Sequence, residues 1–271
     1  MKLVSFDPFR SLGIPGVTYL KPEAVFAHRD EVQAADWLLF PEYWQVNFLV
    51  YGWRKRVFPS HATYLMGHDK IEMTRALQSV AAPHVPQTLI LPGTELAQER
   101  ILEELSFPFV AKAARSSMGQ GVFLIENRAQ LRAYIADHSI LYVQEHLPID
   151  RDLRVVWVGD RVVTAYWRIG AEGGFKNNVA QGGALSFEGI PPQALTLVAK
   201  VAKKLKINHA GFDLALVGGH PYFLEFNVMF GNHGLIEQGI KLGPIILDYL
   251  NRQVRPPRRP TTPKPVLPKA S

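Results

Sequence analysis

The sequence predicts an α/β (α+β) protein built from several small lobes, and three observations carry that expectation. Short β-rich runs alternate with segments of helical period, Gly and Pro punctuate them, and 271 residues at 47% hydrophobic composition suffice for a substantial core. The first lobe is read from KLVSF (2–6), VTYLK (17–21) and WLLFP (37–41), with a helix near Ala24 to Ala34. Tyr43 to Tyr51 is aromatic-rich and predicts a helix packed on that lobe.

HDKIEMTRALQSVA (68–81) is amphipathic, with Asp69 at its start and Pro83 and Pro86 beyond its end. Lys70 lies in its first turn, where the helix dipole and open backbone N–H groups favour an anion, so it is a candidate phosphate contact as well as a candidate exposed lysine. A strand over Gln87 to Leu91 and a helix over Glu95 to Leu105 follow. FPFVAKAARSSMGQGVFLIEN then reads as strand, polar loop, strand. Lys112 falls inside the apolar strand, where a buried ammonium needs a partner that a phosphate would supply. The loop Arg115 to Gly121 offers Ser116, Ser117, Gly119 and Gly121, so hydroxyls and backbone N–H groups can approach a polyphosphate and the loop can close as a flap. It contains no GxxxxGK[ST] string.

A helix over Ala129 to Ala136 leads to a strand over Ile140 to Gln144. That strand runs into Glu145, His146 and Leu147, whose backbone groups can pair with an adenine edge under an apolar cover. A Val-rich hairpin turning at Gly159-Asp160 comes next, a dipeptide suited to primed turns. At its start Asp152 can accept from ribose hydroxyls and Arg154 can neutralise a phosphoryl group; a surface ion-pair cluster with Arg151 is the alternative. Residues 168–183, RIGAEGGFKNNVAQGG, form a polar loop presenting Arg168, Lys176, Asn177 and Asn178.

A helix over Pro191 to Lys206 then leads to AGFDLALVGGHPYFLEFN (210–227), two apolar runs around a tight Gly218-Gly219-His220-Pro221 turn. Asp213, Glu225 and Asn227 interrupt those runs. Glu225 and Asn227 share a strand face by period. Asp213 comes opposite Glu225 only if the loop holds an odd number of residues, such as Gly218 to His220. Period 2 also places Phe223 on the face of Glu225 and Asn227, which argues against a solvated face. Two carboxylates and an amide oxygen on one face suit a hard cation such as Mg²⁺, with Mn²⁺ able to replace it. His233 beyond the hairpin is a candidate substrate contact, and a helix over Pro244 to Asn251 ends the folded part.

The absence of cysteine excludes disulfides, thiolate metal sites and a cysteine nucleophile. The formal charge of +6 sits in the last twenty residues, Arg252 to Ser271, which carry six Lys/Arg, six Pro and no Asp or Glu; the body holds 24 charges of each sign. That composition predicts a disordered, basic, Pro-rich tail, and any nucleic-acid contact is expected of the tail alone. The start has too short an apolar run for a signal peptide, and no window approaches a membrane span of about 20 residues, so a soluble cytoplasmic protein is expected.

The strings HDKIEM, FVAKAARSSMGQGV, VQEHL, RDLRVVWVGDRVV, FKNNVAQGG, GFDLAL and LEFNVMFG occur in one order, and that order resembles the ATP-grasp superfamily, most closely its RimK-like branch of ribosomal protein S6 glutamate ligases. The resemblance spans about Gly67 to Asn251. It implies an ATP-grasp fold in which two α/β lobes (67–147 and 148–251) sandwich ATP, preceded by a small α/β lobe (1–66) and followed by the tail (252–271). It further implies that Lys70 and Lys112 hold ATP phosphates under the Arg115 to Gly121 flap, that Glu145 to Leu147 bind adenine, and that Asp152 binds ribose. Arg154, Lys176 and Asn178 would act at the γ-phosphate, Arg168 would contact substrate, and Asp213, Glu225 and Asn227 would ligate Mg²⁺. The implied reaction is ATP-dependent amide formation through an acylphosphate, on an amino acid, a peptide or a protein terminus, by a monomer or a homo-oligomer. A kinase of the same fold and a nucleotide-sensing protein without activity are the competing functions. The chain departs from the family pattern at the short linker Pro148 to Arg151, at Lys176 in place of arginine, and at Val228-Met229-Phe230 beside the metal asparagine. The last departure puts glutamate as substrate in doubt.

Overall fold

The computed structural model describes residues 1–114, 121–170 and 184–254. Ser116, Ser117, Gly119, Lys176, Asn178 and the basic tail after Val254 lie outside the described residues.

Three sheets follow one another along the chain. The first is parallel, in the order β2-β1-β3-β4, from β1 (Leu3–Ser5), β2 (Val17–Tyr19), β3 (Trp37–Leu39) and β4 (Val57–Phe58), with helix α1 (Arg29–Ala34) connecting β2 to β3. β4 is two residues long, and nothing in the sequence pattern announces it. The aromatic stretch is helical but divided: α2 (Tyr43–Asn47) passes into a wider π-type turn at Phe48–Gly52. A helix the sequence reading did not foresee, α3 (His61–His68), leads into α4 (Lys70–Ala81), where the Asp69 side chain accepts from the Ile71 backbone N–H as the N-cap.

The second sheet is antiparallel, ordered β5-β8-β6-β7, from β5 (Thr88–Pro92), β6 (Phe109–Lys112), β7 (Val122–Ile125) and β8 (Ile140–Glu145). Helices α5 (Glu95–Glu104) and α6 (Arg128–Asp137) pack Ile101 and Leu131 against Phe109 and Val143 on one face. The third sheet is also antiparallel, ordered β11-β10-β9-β12-β13, from β9 (Arg151–Val158), β10 (Arg161–Ile169), β11 (Ala184–Ser186), β12 (His209–Val217) and β13 (His220–Asn227). Helices α7 (Pro192–Lys204), α8 (His233–Glu237) and α9 (Leu242–Val254) complete the described chain.

Both faces of β9 are buried, which explains its near-continuous apolar sequence. Leu153, Val155 and Trp157 face Val198 and Val201 of α7, together with Phe212 and Leu214 of β12. On the opposite face Val156 and Val158 pack with Tyr166, with Ile246 and Leu250 of α9, and with Leu39 and Phe58 of the first sheet. Further along that second face Asp152 and Arg154 stand where apolar residues would continue the core.

The turns obey their residues. Gly218 and Gly219 have φ of +57° and +81° and join Val217 to His220 as a two-residue primed turn. The loop therefore has an even count, not the odd count expected. Asp213 still pairs with Glu225, because the register shifts between Asp213 and Leu214: Leu214 pairs with Phe223, and Leu224 is the extra residue. That bulge also corrects the expected face of Phe223. Phe223 and Phe226 are both buried in the core with Phe212, while Glu225 and Asn227 turn to the other side.

Candidate active site

One row of cross-strand neighbours crosses the third sheet: Tyr166 opposes Arg154, Arg154 opposes Asp213, and Asp213 opposes Glu225. Because directly opposed residues share a face, this row brings residues up to 71 positions apart onto one surface. Gly211 lies in the next row between Val156 and Asn227. A Cβ there would stand 3.0 Å from Arg154 Cδ and 2.9 Å from Phe230 Cβ, so glycine is what lets the arginine stem lie across the strand.

Arg154 donates to Asp213 through Nε and through Nη2, the latter at 2.8 Å to Oδ2. Arg168, opposite Asp152 in the β9–β10 ladder, donates from Nε to Asp152 Oδ1 at 2.6 Å and from Nη2 to Asp213 Oδ2 at 2.9 Å. Asp152 and Arg154 were expected either as ligand-facing groups or as a surface ion-pair cluster. Both are buried members of this quartet, which corrects the surface-cluster alternative, whereas Arg151 is exposed and lies over the Trp167 ring at 4.4 Å. Burial acts to raise the Asp213 carboxyl, but the two guanidiniums overcome it and hold it below its ordinary value. For Asp152 burial prevails over Arg168, and its carboxyl is pushed up to about 6.

Asn227 donates from Nδ2 to Glu225 Oε1 at 3.1 Å and to Asp213 Oδ2 at 3.3 Å. The three expected metal residues are thus side by side. Two carboxylates and an amide, with no sulfur or imidazole among them, make a hard oxygen set that fits Mg²⁺ or Mn²⁺.

Glu225 also faces the second sheet. Lys112, 9% exposed at the end of β6, donates from Nζ to Gln144 Oε1 at 2.7 Å and lies 5.5 Å over the Tyr142 ring. Gln144 is held in turn by Thr88 Oγ1 at 2.8 Å, and Tyr142 shares a 2.8 Å hydrogen bond with Thr74 of α4. Among the described residues Lys112 makes no carboxylate ion pair. Burial draws its pKa below the ordinary lysine value, and the Glu225 charge offsets this in part. Lys70 is drawn down in the same way by burial, with Glu225 opposing and Lys112 reinforcing the shift. Its backbone N–H donates to Ala114 O at 3.1 Å, which ties the start of α4 to the end of β6.

The remaining expected residues are placed as follows. Glu145 ends β8 and its Oε1 accepts from the Gln87 backbone N–H at 2.7 Å, followed by half-buried His146 and Leu147. Gly121, with φ of +71°, closes the β6–β7 hairpin through its carbonyl to the Ala113 N–H at 2.7 Å. His233 is exposed at the start of α8, and its neighbour Gly234 packs so closely on the Tyr166 ring that a Cβ there would stand 2.3 Å from Cε1. Sequence reasoning missed Gln144 as the partner of Lys112 and Tyr166 as the end of the row. The alternation Tyr142, Gln144 on the strand beside Lys112 was the available signal.

With this geometry in view, comparison with known proteins is direct. Residues 68–250 match the family of RimK-like ATP-grasp domains. The chain belongs to that family. It is 28% identical over 225 residues to a probable alpha-L-glutamate ligase of Chromohalobacter salexigens, covering 78% of this chain and 74% of that one. It is 30% identical over 152 residues to the ribosomal protein bS6–L-glutamate ligase of Escherichia coli, covering 54% of this chain and 51% of that one. The ATP-grasp fold is shared with a RimK domain protein of Sphaerobacter thermophilus, at TM-score 0.70 and 17% identity over 92% of this chain and 99% of that one. A D-alanine–D-alanine ligase of Bacillus anthracis complexed with ATP superimposes at TM-score 0.70 and 13% identity, covering 93% of this chain and 96% of that one. Among the described residues no helix is long and apolar enough to cross a membrane.

Proposed function

We propose that this RimK-like ATP-grasp protein is an ATP-dependent carboxylate–amine ligase acting on an amino acid, a peptide or a protein terminus. The observation that carries the reading is the meeting of Lys112 and Lys70 from one side with Glu225, Asn227 and Asp213 from the other. A buried ammonium group and a half-buried one beside an oxygen-donor set form a receptor for a metal-bound polyphosphate. The expected lobe boundaries at 66/67 and 147/148 belong to the same proposal.

In the proposed reaction a substrate carboxylate oxygen attacks the γ-phosphorus of ATP in line, and the bond to the β–γ bridging oxygen breaks to release ADP. The amine then attacks the acyl carbon, inorganic phosphate leaves, and the amine proton passes to solvent or phosphate. Lys112, fixed by Gln144 and the Tyr142 ring, supplies a cation at the phosphates without reorganisation. Lys70 supplies a second from the first turn of α4. Asp213, Glu225 and Asn227 would hold a divalent ion, which would supply charge neutralisation at the polyphosphate. Arg154 and Arg168 would stabilise the γ-phosphoryl group and the substrate carboxylate. Leu147 and the end of β8 would bound the adenine, with ATP as cosubstrate. Lys176, Asn178 and the Ser116, Ser117, Gly119 loop retain the roles implied by family resemblance, and His233 remains a candidate substrate contact. The protein is expected to work in the cytoplasm.

The test is to incubate the protein with ATP, Mg²⁺ and pooled amino acids and short peptides while following ADP and product masses. ADP together with a mass equal to two reactants less water is the expected outcome. Stable phosphorylation of a non-carboxylate acceptor would replace the ligase with a kinase, and ATP binding without turnover across acceptors of every pool would replace it with a sensor.

A further inference from the structure

Arg168 stands between two carboxylates, Asp152 at 2.6 Å from Nε and Asp213 at 2.9 Å from Nη2. Arg154 holds Asp213 from the other side. The side chains of Asp152, Asp213, Arg154 and Arg168 are 6%, 4%, 7% and 18% exposed, so the set is nearly dry. It is also neutral, with two cations and two anions. Both Asp213 oxygens are engaged by guanidiniums, although Asp213 is the central member of the oxygen-donor set. An ion that binds there must draw the carboxylate away from arginines that have little water to turn to.

We propose that Asp152 is a positioning residue for the divalent-ion site: by sharing Arg168 with Asp213, it keeps that guanidinium compensated when Asp213 turns to an ion. The inference rests on the reading of Asp213 as an ion ligand. Its physical basis is the asymmetry of buried pairs, in which removing one partner leaves an uncompensated charge and costs far more than the intact pair contributes. With Asp152 present, release of Asp213 leaves Arg168 paired. Without it, Asp213 is the sole carboxylate for Arg168 among the described residues, and ion binding must compete against both arginines. Strand register places the helper where it acts: Asp152 opposes Arg168 directly and sits two residues from Arg154 on the same face. Arg154, by contrast, is left without its carboxylate when Asp213 is released, and the anion it would meet next is the polyphosphate.

The experiment measures Mn²⁺ affinity by the electron paramagnetic resonance signal of free Mn²⁺, with the full chain saturated by a non-hydrolysable ATP analogue. Asp152→Asn should raise the Mn²⁺ Kd about tenfold or more, the usual size for loss of a group supporting a metal ligand. Adding Arg168→Met to Asp152→Asn should return the Kd to near the wild-type value, because the competitor has gone; a residue needed only for folding would not be rescued in this way. Arg168→Met alone should leave the Kd unchanged or lower, and it provides the test should Asp152→Asn fail to fold. An unchanged Kd in Asp152→Asn, no recovery in the double variant, or a rise of similar size in Arg168→Met would each overturn the proposal. Asp213→Asn is the control for the reading beneath it: if that variant binds Mn²⁺ normally, the ion site itself is misplaced, and the failure is distinguishable from that of Asp152.

Discussion

Lys112 on β6 and Arg154 on β9 approach the Glu225–Asn227 end of β13 from two different sheets, and each is buried, yet their surroundings differ in kind. Lys112 donates to the neutral amide of Gln144 and lies over an aromatic ring, while Arg154 is clamped on Asp213. The first arrangement leaves positive charge in place and depresses its pKa; the second cancels it. A buried cation without a carboxylate is costly to the apo protein and is relieved by a polyanion. A neutral quartet imposes little such strain and must be rearranged before its groups act. On the proposed reading, the two regions would divide the work of binding phosphate and of responding to it.

The largest effect is expected at Lys112, which makes no carboxylate ion pair among the described residues. Lys112→Met should lower kcat/KM for ATP by about 10²–10³-fold, the scale for removing a preorganised electrostatic group, with the melting temperature unchanged or raised. Turnover near wild type would break the comparison at its first half. In the intact protein, the lowered lysine pKa values place the alkaline loss of kcat/KM for ATP below the ordinary lysine range, because these groups deprotonate earlier than a free lysine.

Removing a cation from the neutral quartet should instead appear as stability. Arg154→Met leaves Asp213 with Arg168 alone and should cost about 3 kcal/mol in urea unfolding. A loss as small as that of Lys112→Met would show that the ion pairs contribute no more than the lysine's neutral setting.

His209 sharpens the contrast as a buried titratable group that stays neutral. It is fully buried, its Nδ1 donates to Val228 O at 2.8 Å, and burial draws its pKa down to about 3, opposed by that hydrogen bond. The folded state thus resists protonation that the unfolded chain accepts near pH 6.5, so stability falls as pH drops below that value, by about 2 kcal/mol at pH 5. His209→Asn, which keeps a donor, should flatten the urea midpoint between pH 7 and pH 5, and an unaltered slope would assign the acid sensitivity elsewhere. The smallest effect is expected at Gly211→Ala, whose methyl would press on Phe230 and the Arg154 stem. About 1–2 kcal/mol is expected, read in the same unfolding experiment, with the weaker value if Arg154 yields.

Much of the molecule was legible along the chain because the signals are local. Asp69 caps α4 in the way its sequence suggests, and Gly159-Asp160 and Gly218-Gly219 turn their hairpins. Lys112, Asp213, Glu225 and Asn227 declared themselves as polar groups inside apolar runs, which only a site or a buried partner can explain. Strand β4 and helix α3 were not legible, since two residues of strand and a weakly amphipathic helix carry too little pattern to register.

By itself, then, the amino-acid order determined most of the succession of elements, the turn residues and which polar side chains interrupt apolar strands. Tertiary structure alone decided their relations. The bulge at Leu224 reversed the face of Phe223 and restored the Asp213–Glu225 pairing through an even turn, because period 2 cannot register an extra residue until a partner strand counts it. Pairing of Asp152 with Arg168, and of Asp213 with two arginines, followed from the alignment of β9, β10 and β12, in which residues 16 to 59 positions apart become neighbours. Such partners are chosen by sheet register and burial, and neither is a property of any one segment.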